Sequence, residues 1–309
     1  QEVAIGGLDV AVGSLFSLQG DFGFVKDSTN NEMEVVATNA SAVLDAGGFE
    51  VGVQEGSLGM VLNSSGIALE ASGSLSANLG STIALSATSV TFRWNSTDEQ
   101  WTDTVLNAAG AEYTFSDLEA STNIQEVKVS GADLSVGDFF QVAGDFAFTR
   151  STAMVDLTAE TDISSEILTL GVNNVTAFAG LNAGQADAMG LTLSEVEFGL
   201  ALVGEIGGTA RQWIGFKGFT GSAELSGIDS VALSTESLAL TFNLSASDGS
   251  LVDFSALDGG NGLSVATNAT NSIALNMAAE DGETFEATGS FTLSMAGFVS
   301  LTGSLGIQR

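Results

Sequence analysis

Carboxylates are the only side chains of this sequence with the type and number needed for acid–base chemistry. The chain of 309 residues contains 38 Asp and Glu, whereas His and Cys are absent. Without imidazole and thiolate groups, the common nucleophiles, bases and zinc ligands of enzymes are missing. Two carboxyl groups in an aromatic-lined cleft could still hydrolyse a glycoside, and clustered carboxylates could bind a cation.

Several acidic pairs could form such an arrangement, among them Glu50 with Glu55 and Asp98 with Glu99. Asp21 and Asp145 occupy matching places beside phenylalanines in two similar segments, and Glu195 and Glu197 lie two residues apart. Nothing distinguishes one pair from the other carboxylates, and three Trp and one Tyr are too few to line a sugar-binding cleft. We therefore predict solvated acidic faces, no cofactor and no enzyme. The weaker alternative is that divalent cations such as calcium bridge surface carboxylates.

The charge balance restricts the partners of the chain. Seven Lys and Arg against 38 Asp and Glu give a formal net charge of −31. Nucleic acid is excluded as a partner, because binding to phosphates requires clustered cations. No run approaches the length of about eighteen apolar residues that a membrane-spanning helix needs, so we predict no membrane insertion.

One segment of the sequence occurs three times. Gly13–Lys26 returns as Gly137–Arg150, with six of fourteen residues identical. It returns again as Ala296–Arg309, where the apolar alternation, Gly303 and a terminal cation are retained. Such recurrence is typical of arrays of homologous units, which act through length and surface.

The recurring segment has matching rings, glycines and cations. We interpret its rings and glycines as the module core, which comprises Phe16, Phe22, Phe24, Phe140, Phe146, Phe148, Gly20, Gly144 and Gly303. Phe outnumbers Tyr and Trp by 19 to 4, which favours core packing over a water-exposed ligand platform. Lys26, Arg150 and Arg309 close the segment in its three copies. Either they neutralise carboxylates at module junctions, or they are solvated strand ends.

Apolar residues alternate with small or polar ones along almost the whole chain. The segments 8–12, 90–92 and 238–242 show this period of two, which is typical of β-strands with one buried face. No segment has a 3.6-residue apolar stripe of helical length, and the absence of Pro suits long hydrogen-bonded strands. The predicted fold class is all-β.

Matching blocks in the same order predict two tandem homologous modules of long antiparallel strands. The modules cover residues 3–126 and 127–285, and residues 286–309 are either the first strands of a third repeat or the closing strands of the second module. Glycines inside alternating runs would bend each sheet into a sandwich or flattened barrel, with the modules stacked end to end. A β-solenoid is the alternative, although the short coil period of solenoids is not found.

Three stretches of the sequence resemble a known class of proteins. Val90–Val105, Asn123–Arg150 with its GDFAFTR ending, and Gly289–Arg309 are similar to the tandem β-repeats of giant secreted bacterial surface proteins, of the adhesin-like, hemolysin-type or LEPR-XLL-like kind. The resemblance covers most of the chain. It implies secretion, a cell-surface or matrix role and an extended parent protein, and it transfers no catalytic residue.

The function predicted from these features is structural. We expect a module of a long extracellular bacterial filament or surface fibre, which acts by length, rigidity and pairing of its strand edges with neighbouring repeats or copies. The alternative is an adhesin module that binds cell-surface glycans or a protein partner through its loops. Thr97–Trp101 and Gly208–Trp213 are the loop residues that would then carry recognition.

Overall fold

In the residues described by the computed structural model, the secondary structure consists of eighteen β-strands and three single-turn 3-10 helices. The structure describes residues 1–12, 16–45, 50–80, 82–119, 124–207, 211–228, 231–296 and 298–308. Among these residues there is no α-helix, and none of the short helices has the length and apolar character needed to cross a membrane. The prediction of an all-β chain built from long antiparallel strands is confirmed.

The chain divides into two compact units, Gln1–Gly131 (unit 1) and Ala132–Arg309 (unit 2). The strands that begin in unit 1 are β1 (Glu2–Val12), β2 (Phe16–Asp27), β3 (Glu32–Asp45), β4 (Glu50–Asn63), β5 (Gly66–Asn78), β6 (Ile83–Asn95), β7 (Val105–Ala108), β8 (Ala111–Thr114) and β9 (Ile124–Val136). The module boundaries suggested by the sequence repeat, at 3–126, 127–285 and 286–309, stay a prediction.

The remaining strands belong to unit 2. They are β10 (Phe140–Val155), β11 (Ile163–Leu181), β12 (Met189–Glu205), β13 (Gln212–Ser226), β14 (Val231–Leu244), β15 (Leu263–Ala266), β16 (Ser272–Leu275), β17 (Thr284–Met295) and β18 (Val299–Gln308). The 3-10 helices Phe254–Ala256, Asp258–Gly260 and Ala279–Asp281 lie in the connections that follow β14 and β16. The long strands of unit 2 contain no Pro, so no residue lacks the backbone N–H that the ladder uses.

Strands that are neighbours along the chain are also neighbours in the sheet. Fourteen strands form one antiparallel sheet in the order β1-β2-β3-β4-β5-β6-β9-β10-β11-β12-β13-β14-β17-β18, while β7–β8 and β15–β16 form two separate hairpins. The order is open, with β1 and β18 at its ends. The strands therefore do not close into the flattened barrel expected from the internal glycines, because closure requires pairing between the first and last strands.

Gly20 and Gly144 occupy bulges at matching places of the two units. The register between β2 and β3, and between β10 and β11, shifts at these glycines. Their φ angles of 150° and 152° lie where side chains are rarely tolerated. A Cβ atom at Gly144 would stand 2.8 Å from Cα of Val175. Each glycine thus permits a bend within a long strand.

Each unit carries a short hairpin packed on one face of its sheet. The hairpin β7–β8 contacts β2, β3 and β4, and the hairpin β15–β16 contacts β11, β12 and β13. A Cβ atom at Gly59 of β4 would overlap the ring of Tyr113, so the first hairpin depends on that glycine for its close approach. We call the face beneath a hairpin the capped face and the opposite face of the same strands the open face.

The buried cores lie between the hairpins and the capped faces. In unit 1 the core consists of Val36, Val61, Ala68, Leu106, Ala108, Tyr113, Phe115 and Leu118. In unit 2 it is larger and includes Val155, Ile167, Val203, Trp213, Val252, Phe254, Val265, Leu275 and Met277. Side chains from strands and from capping segments contribute to both cores, so each hairpin is fixed by burial of its apolar residues.

Candidate functional site

Rows of large apolar side chains cross the open face of unit 2. Successive residues of a strand point to opposite faces and directly paired residues share a face, so the strand register defines each row. One row is formed by Phe148, Leu170, Leu200, Phe216, Phe242 and Phe285. The next row is formed by Phe146, Val172, Phe198, Gly218, Leu240 and Ala287. The rings of Phe216 and Phe242 stack with their centroids 4.9 Å apart.

Two grooves indent the open faces at corresponding places of the sequence repeat. The groove of unit 2 has a volume of about 490 Å³ and is lined by apolar side chains that include Leu193, Phe198, Leu238 and Leu240. The groove of unit 1 measures about 240 Å³ and is lined by the corresponding residues Val53, Leu58, Val90 and Phe92. Among the described residues, Glu197 is the one ionisable residue that borders either groove, and strand alternation directs its side chain to the capped face.

The phenylalanines of the recurring segment lie on the open faces. Phe22 pairs with Ala37 and Phe24 with Val35, both on the face opposite the hairpin of unit 1. Phe140 and Phe148 are exposed, while Phe22, Phe24 and Phe146 are half-buried. The side chain of Phe16 lies outside the described residues. None of these described rings belongs to the two cores beneath the hairpins, so their interpretation as a core requires something to cover the open face.

Of the other residues singled out in the repeat, Gly20 and Gly144 lie at the bulges and Gly303 pairs with Phe291 in the regular part of β18. Lys26 is exposed at the end of β2. Arg150 forms an ion pair with Glu166 on the adjacent strand β11, and both side chains are about half exposed. Arg309 lies outside the described residues.

The matching acids Asp21 and Asp145 have structural partners. Oδ1 of Asp21 accepts a hydrogen bond of 2.8 Å from the backbone N–H of Gly7. Oδ2 of Asp145 accepts one of 3.2 Å from the amide of Asn268, in the capping segment of unit 2. Both carboxylates thus fasten the chain at the bulges. Glu195 is itself at a bulge, with φ of 54°, and is exposed, whereas Glu197 is half-buried.

A buried ion network under the first hairpin was not foreseen from the sequence. Nε of Arg93 donates to Glu70 at 2.8 Å, and Nη1 donates to Glu126 at 2.7 Å. Lys128 pairs with Glu126 at 3.0 Å. The side chain of Glu70 is only 3% exposed. Scarcity was the available signal, since Arg93 and Lys128 are two of only seven cations and both lie inside alternating runs.

Glu70 joins the hairpin to the sheet. Its Oε1 accepts hydrogen bonds of 2.9 Å from the hydroxyl of Tyr113 and from the backbone N–H of Ser116. Burial alone would raise the pKa of Glu70, but the bonds from Arg93, Ser116 and Tyr113 together outweigh it and hold the pKa below its ordinary value. Burial and the neighbouring Glu70 raise the pKa of Tyr113. Each ion of the network has a partner of opposite charge, so the network serves to hold the capping segment on the sheet.

A second ion cluster lies at the rim of the core of unit 2. Arg211 bonds to Glu205 at 2.9 Å, Glu160 at 3.1 Å and Asp248 at 3.3 Å. Its guanidinium also lies 5.4 Å from the centroid of the Trp213 ring. The bonds to Glu205 and Glu160 raise the pKa of Arg211. This cluster links β12 to the capping loops, because Glu160 and Asp248 belong to connections that lie far apart in the sequence.

The loops proposed for glycan recognition use their tryptophans internally. Nε1 of Trp101 donates to Thr97 at 2.9 Å, and the ring packs edge-on against Phe115. Trp213 is 1% exposed and donates to the backbone oxygen of Ser250. Residues 208–210 of the second loop lie outside the described residues. The tryptophans of these two loops therefore offer no flat aromatic platform to a sugar.

The outer edges of the sheet are long and differ in their protection. At one end, β1 pairs with β2 and has a register shift between Ile5 and Leu8. At the other end, β18 pairs with β17 in unbroken register, and its ten residues are exposed except for one half-buried position. Charged residues are absent from β18, whereas β1 contains Glu2 and Asp9. Within the residues that the structure describes, the outer edge of β18 is thus a regular row of backbone donors and acceptors.

No group of three or more acidic residues suited to holding a metal ion occurs in the part of the chain that the structure describes. Comparison of the chain with protein-family models, with curated proteins and with solved structures found no match.

Proposed function

We propose that this chain is a structural β-sheet element of a long extracellular filament or cell-surface fibre of a bacterium. It acts by length and rigidity and assembles through its strand edges. The partners are copies of the same chain or neighbouring repeats. Recognition of nucleic acid is not part of this function, because the net charge of −31 repels phosphates.

The unprotected edge of β18 is the observation that carries the proposal. Natural edge strands are usually shielded by Lys, Pro, bulges or shortness, because an unpaired strand recruits another strand. The segment Val299–Gln308 contains neither charge nor Pro, keeps regular register with β17 and exposes Leu301 and Leu305 by more than half. These properties favour strand addition.

Two further features support a structural role. The sheet follows sequence order from β1 to β18, and this meander can be extended by adding strands at either edge. The resemblance to repeats of giant secreted surface proteins points in the same direction and supports secretion. The buried ions are paired with one another and connect the capping segments to the sheet. No observation favours the adhesin alternative over the structural one.

The test is assembly of the purified chain, followed by sedimentation velocity and negative-stain microscopy. We expect rods that lengthen with protein concentration and with salt, since salt shortens the range of repulsion between acidic subunits from about 30 Å at 0.01 M to about 3 Å at 1 M. Leu301→Pro and Thr302→Pro are made separately, because neighbouring residues of a strand direct their N–H groups to opposite edges.

At least one of the two proline variants should abolish rod growth. The matched controls are Leu301→Val and Thr302→Val, which keep the N–H groups and should assemble as the parent does. Growth of normal rods by both proline variants, or discrete particles of the parent chain at every concentration and salt, would contradict the proposal.

A further inference from the structure

Rows of apolar side chains cover most of the open face of unit 2. Beyond the two central rows, the register places Leu168, Leu202, Ile214 and Leu244 in a third row. Several of these side chains are well exposed: Phe148 by 44%, Leu168 by 41%, Leu202 by 41% and Phe285 by 39%. Isolated exposed apolar residues are normal on protein surfaces, but contiguous rows of this kind mark interaction sites.

The same face has almost no charge. On the described residues of β10–β14, β17 and β18, strand alternation assigns one ion pair to it, Arg150 with Glu166, and these two ions neutralise each other. The carboxylates Glu197, Glu224, Glu236 and Glu286 on these strands alternate to the capped face. In a chain with a net charge of −31, this face is where two copies can touch without bringing carboxylates together.

The face contains both protrusions and a depression of suitable size. The groove of about 490 Å³ runs past Gly218, Ala287 and Gly289, whose small side chains leave it open. The exposed rings of Phe148 and Phe285 stand in the row beside it. Protruding rings and a groove on one surface are what a two-fold symmetric contact needs, because each copy must supply both halves of the fit.

The area is large enough for a stable interface. Seven strands at ~4.8 Å spacing span about 29 Å, and twelve residues at ~3.3 Å extend about 40 Å, which gives roughly 1,100 Å² per copy. A typical specific interface buries about 800 Å² per partner. A small apolar ligand would fill the groove but leave most of this surface in water.

We propose that the open face of unit 2 is an interface with a second copy of this chain, stacked face to face across a two-fold axis. The two sheets then lie about 10 Å apart with their side chains interdigitated. The contact buries the rings of Phe146 and Phe148, which the sequence pattern marks as interior. It does not depend on the proposed function, because it uses side chains of a face and not the backbone of an edge.

The experiment measures the monomer–dimer equilibrium of the full chain by sedimentation velocity in 0.5 M NaCl. Filament growth is blocked with the effective proline variant of β18, so that only face contacts remain. We expect a dimer in this background. Leu202→Lys and Phe148→Lys should each raise its dissociation constant at least about tenfold, because a lysine would lose water without gaining a partner.

Ser234→Lys is the matched control. It adds the same charge at an exposed position of β14 in unit 2, but on the capped face. It should therefore leave the dissociation constant of the dimer unchanged. Each lysine makes the net charge less negative, so weaker dimerisation of the open-face variants cannot be caused by added repulsion between the copies. Circular dichroism checks that the variants keep their β structure.

Three outcomes would overturn the proposal: a monomer at every concentration, dimers that tolerate both open-face lysines, or equal loss in Ser234→Lys. In the first case, binding of the monomer to neutral lipid vesicles through the open face would replace the second copy with a membrane. If a proline variant loses the rods but keeps the dimers, the face-to-face interface is supported independently of the filament.

Discussion

In unit 1 the hairpin is held over the sheet by buried ions in addition to its apolar core, whereas in unit 2 the core is larger and its ions lie at the rim. Glu70, Arg93 and Glu126 lie under the first hairpin with their charges paired. In unit 2, Trp213 and Phe254 belong to the buried core, and the ions around Arg211 lie at its rim. The two arrangements differ in what they depend on: the first on the ionisation of a carboxylate, the second on the volume of its rings.

The common feature of the two units is therefore the capping hairpin, and the chemistry beneath it differs. A buried ion pair is costly to desolvate and adds little net stability, but removing one partner leaves a charge without compensation. A ring in an apolar core stabilises through burial, and its loss leaves a cavity. The two cores should therefore respond to different changes.

The largest effect is expected from Trp213→Ala. The ring is 1% exposed, so its loss should lower the free energy of unfolding of unit 2 by about 3–5 kcal/mol. Hydrogen exchange of residues 246–277 measures it, with residues 105–118 of unit 1 as the internal reference. Trp213→Phe, which keeps a ring but loses the bond to Ser250, should cost much less. Equal losses in the two variants would mean that the hydrogen bond and not the volume matters.

Glu70→Ala should have the next largest effect. It removes the acceptor shared by Arg93, Tyr113 and Ser116, and we expect a loss of about 3 kcal/mol, at the low end for a broken buried pair because Glu126 still binds Arg93. Exchange should accelerate in residues 105–118 more than in residues 246–277. Glu70→Gln, which keeps the acceptor without the charge, separates hydrogen bonding from ion pairing.

Acid should weaken unit 1 before unit 2. The pKa of Glu70 is below its ordinary value of 4.5 in the folded state, so its stabilising contribution is present above about pH 4.5 and is lost as the pH falls through the lower folded pKa. In the Trp213→Phe protein, fluorescence reports only Trp94 and Trp101 of unit 1. The urea concentration at its unfolding midpoint should decrease when the pH is lowered below 4.5. Glu70→Gln should make this midpoint less dependent on pH. An unchanged midpoint would contradict the assigned role of Glu70.

The smallest effect is expected from Arg150→Gln. The ion pair with Glu166 is about half exposed on both sides, and exposed pairs contribute little and are screened by salt. Unfolding of the monomer at low salt should therefore not change measurably. A clear destabilisation would instead favour the hypothesis that this cation neutralises a carboxylate cluster at a module junction.

Some of the fold was readable because it depends on local pattern. The period of two and the absence of Pro predict strands, and the alternation places Phe146 and Phe148 on one face and Asp145 on the other, as the structure has them. The bulges at Gly20 and Gly144 follow from glycines that interrupt alternating runs. The closed form expected from these glycines is not found, since closure depends on whether distant strands meet and not on the bend of one strand.

Less of the candidate site than of the fold could be predicted from the sequence. Glu70 and Glu126 are separated by 56 positions in the sequence, and no local pattern shows that both reach Arg93. Trp101 and Trp213 are of a residue type that often forms ligand-binding platforms. Only their packing shows that their indole groups are used inside the protein. The apolar groove likewise needs five neighbouring strands to exist.

The amino-acid pattern was enough to predict long antiparallel strands in which apolar residues alternate with small or polar ones, because alternation and glycine placement act within a single strand. Which face of the strands is covered could be seen only from the packing of the capping segments. Alternation makes both faces of a strand distinct but does not say where a hairpin packs. That choice was made by small residues such as Gly59, which admit the hairpin, and by Glu70 and Trp213, which hold the capping segments there.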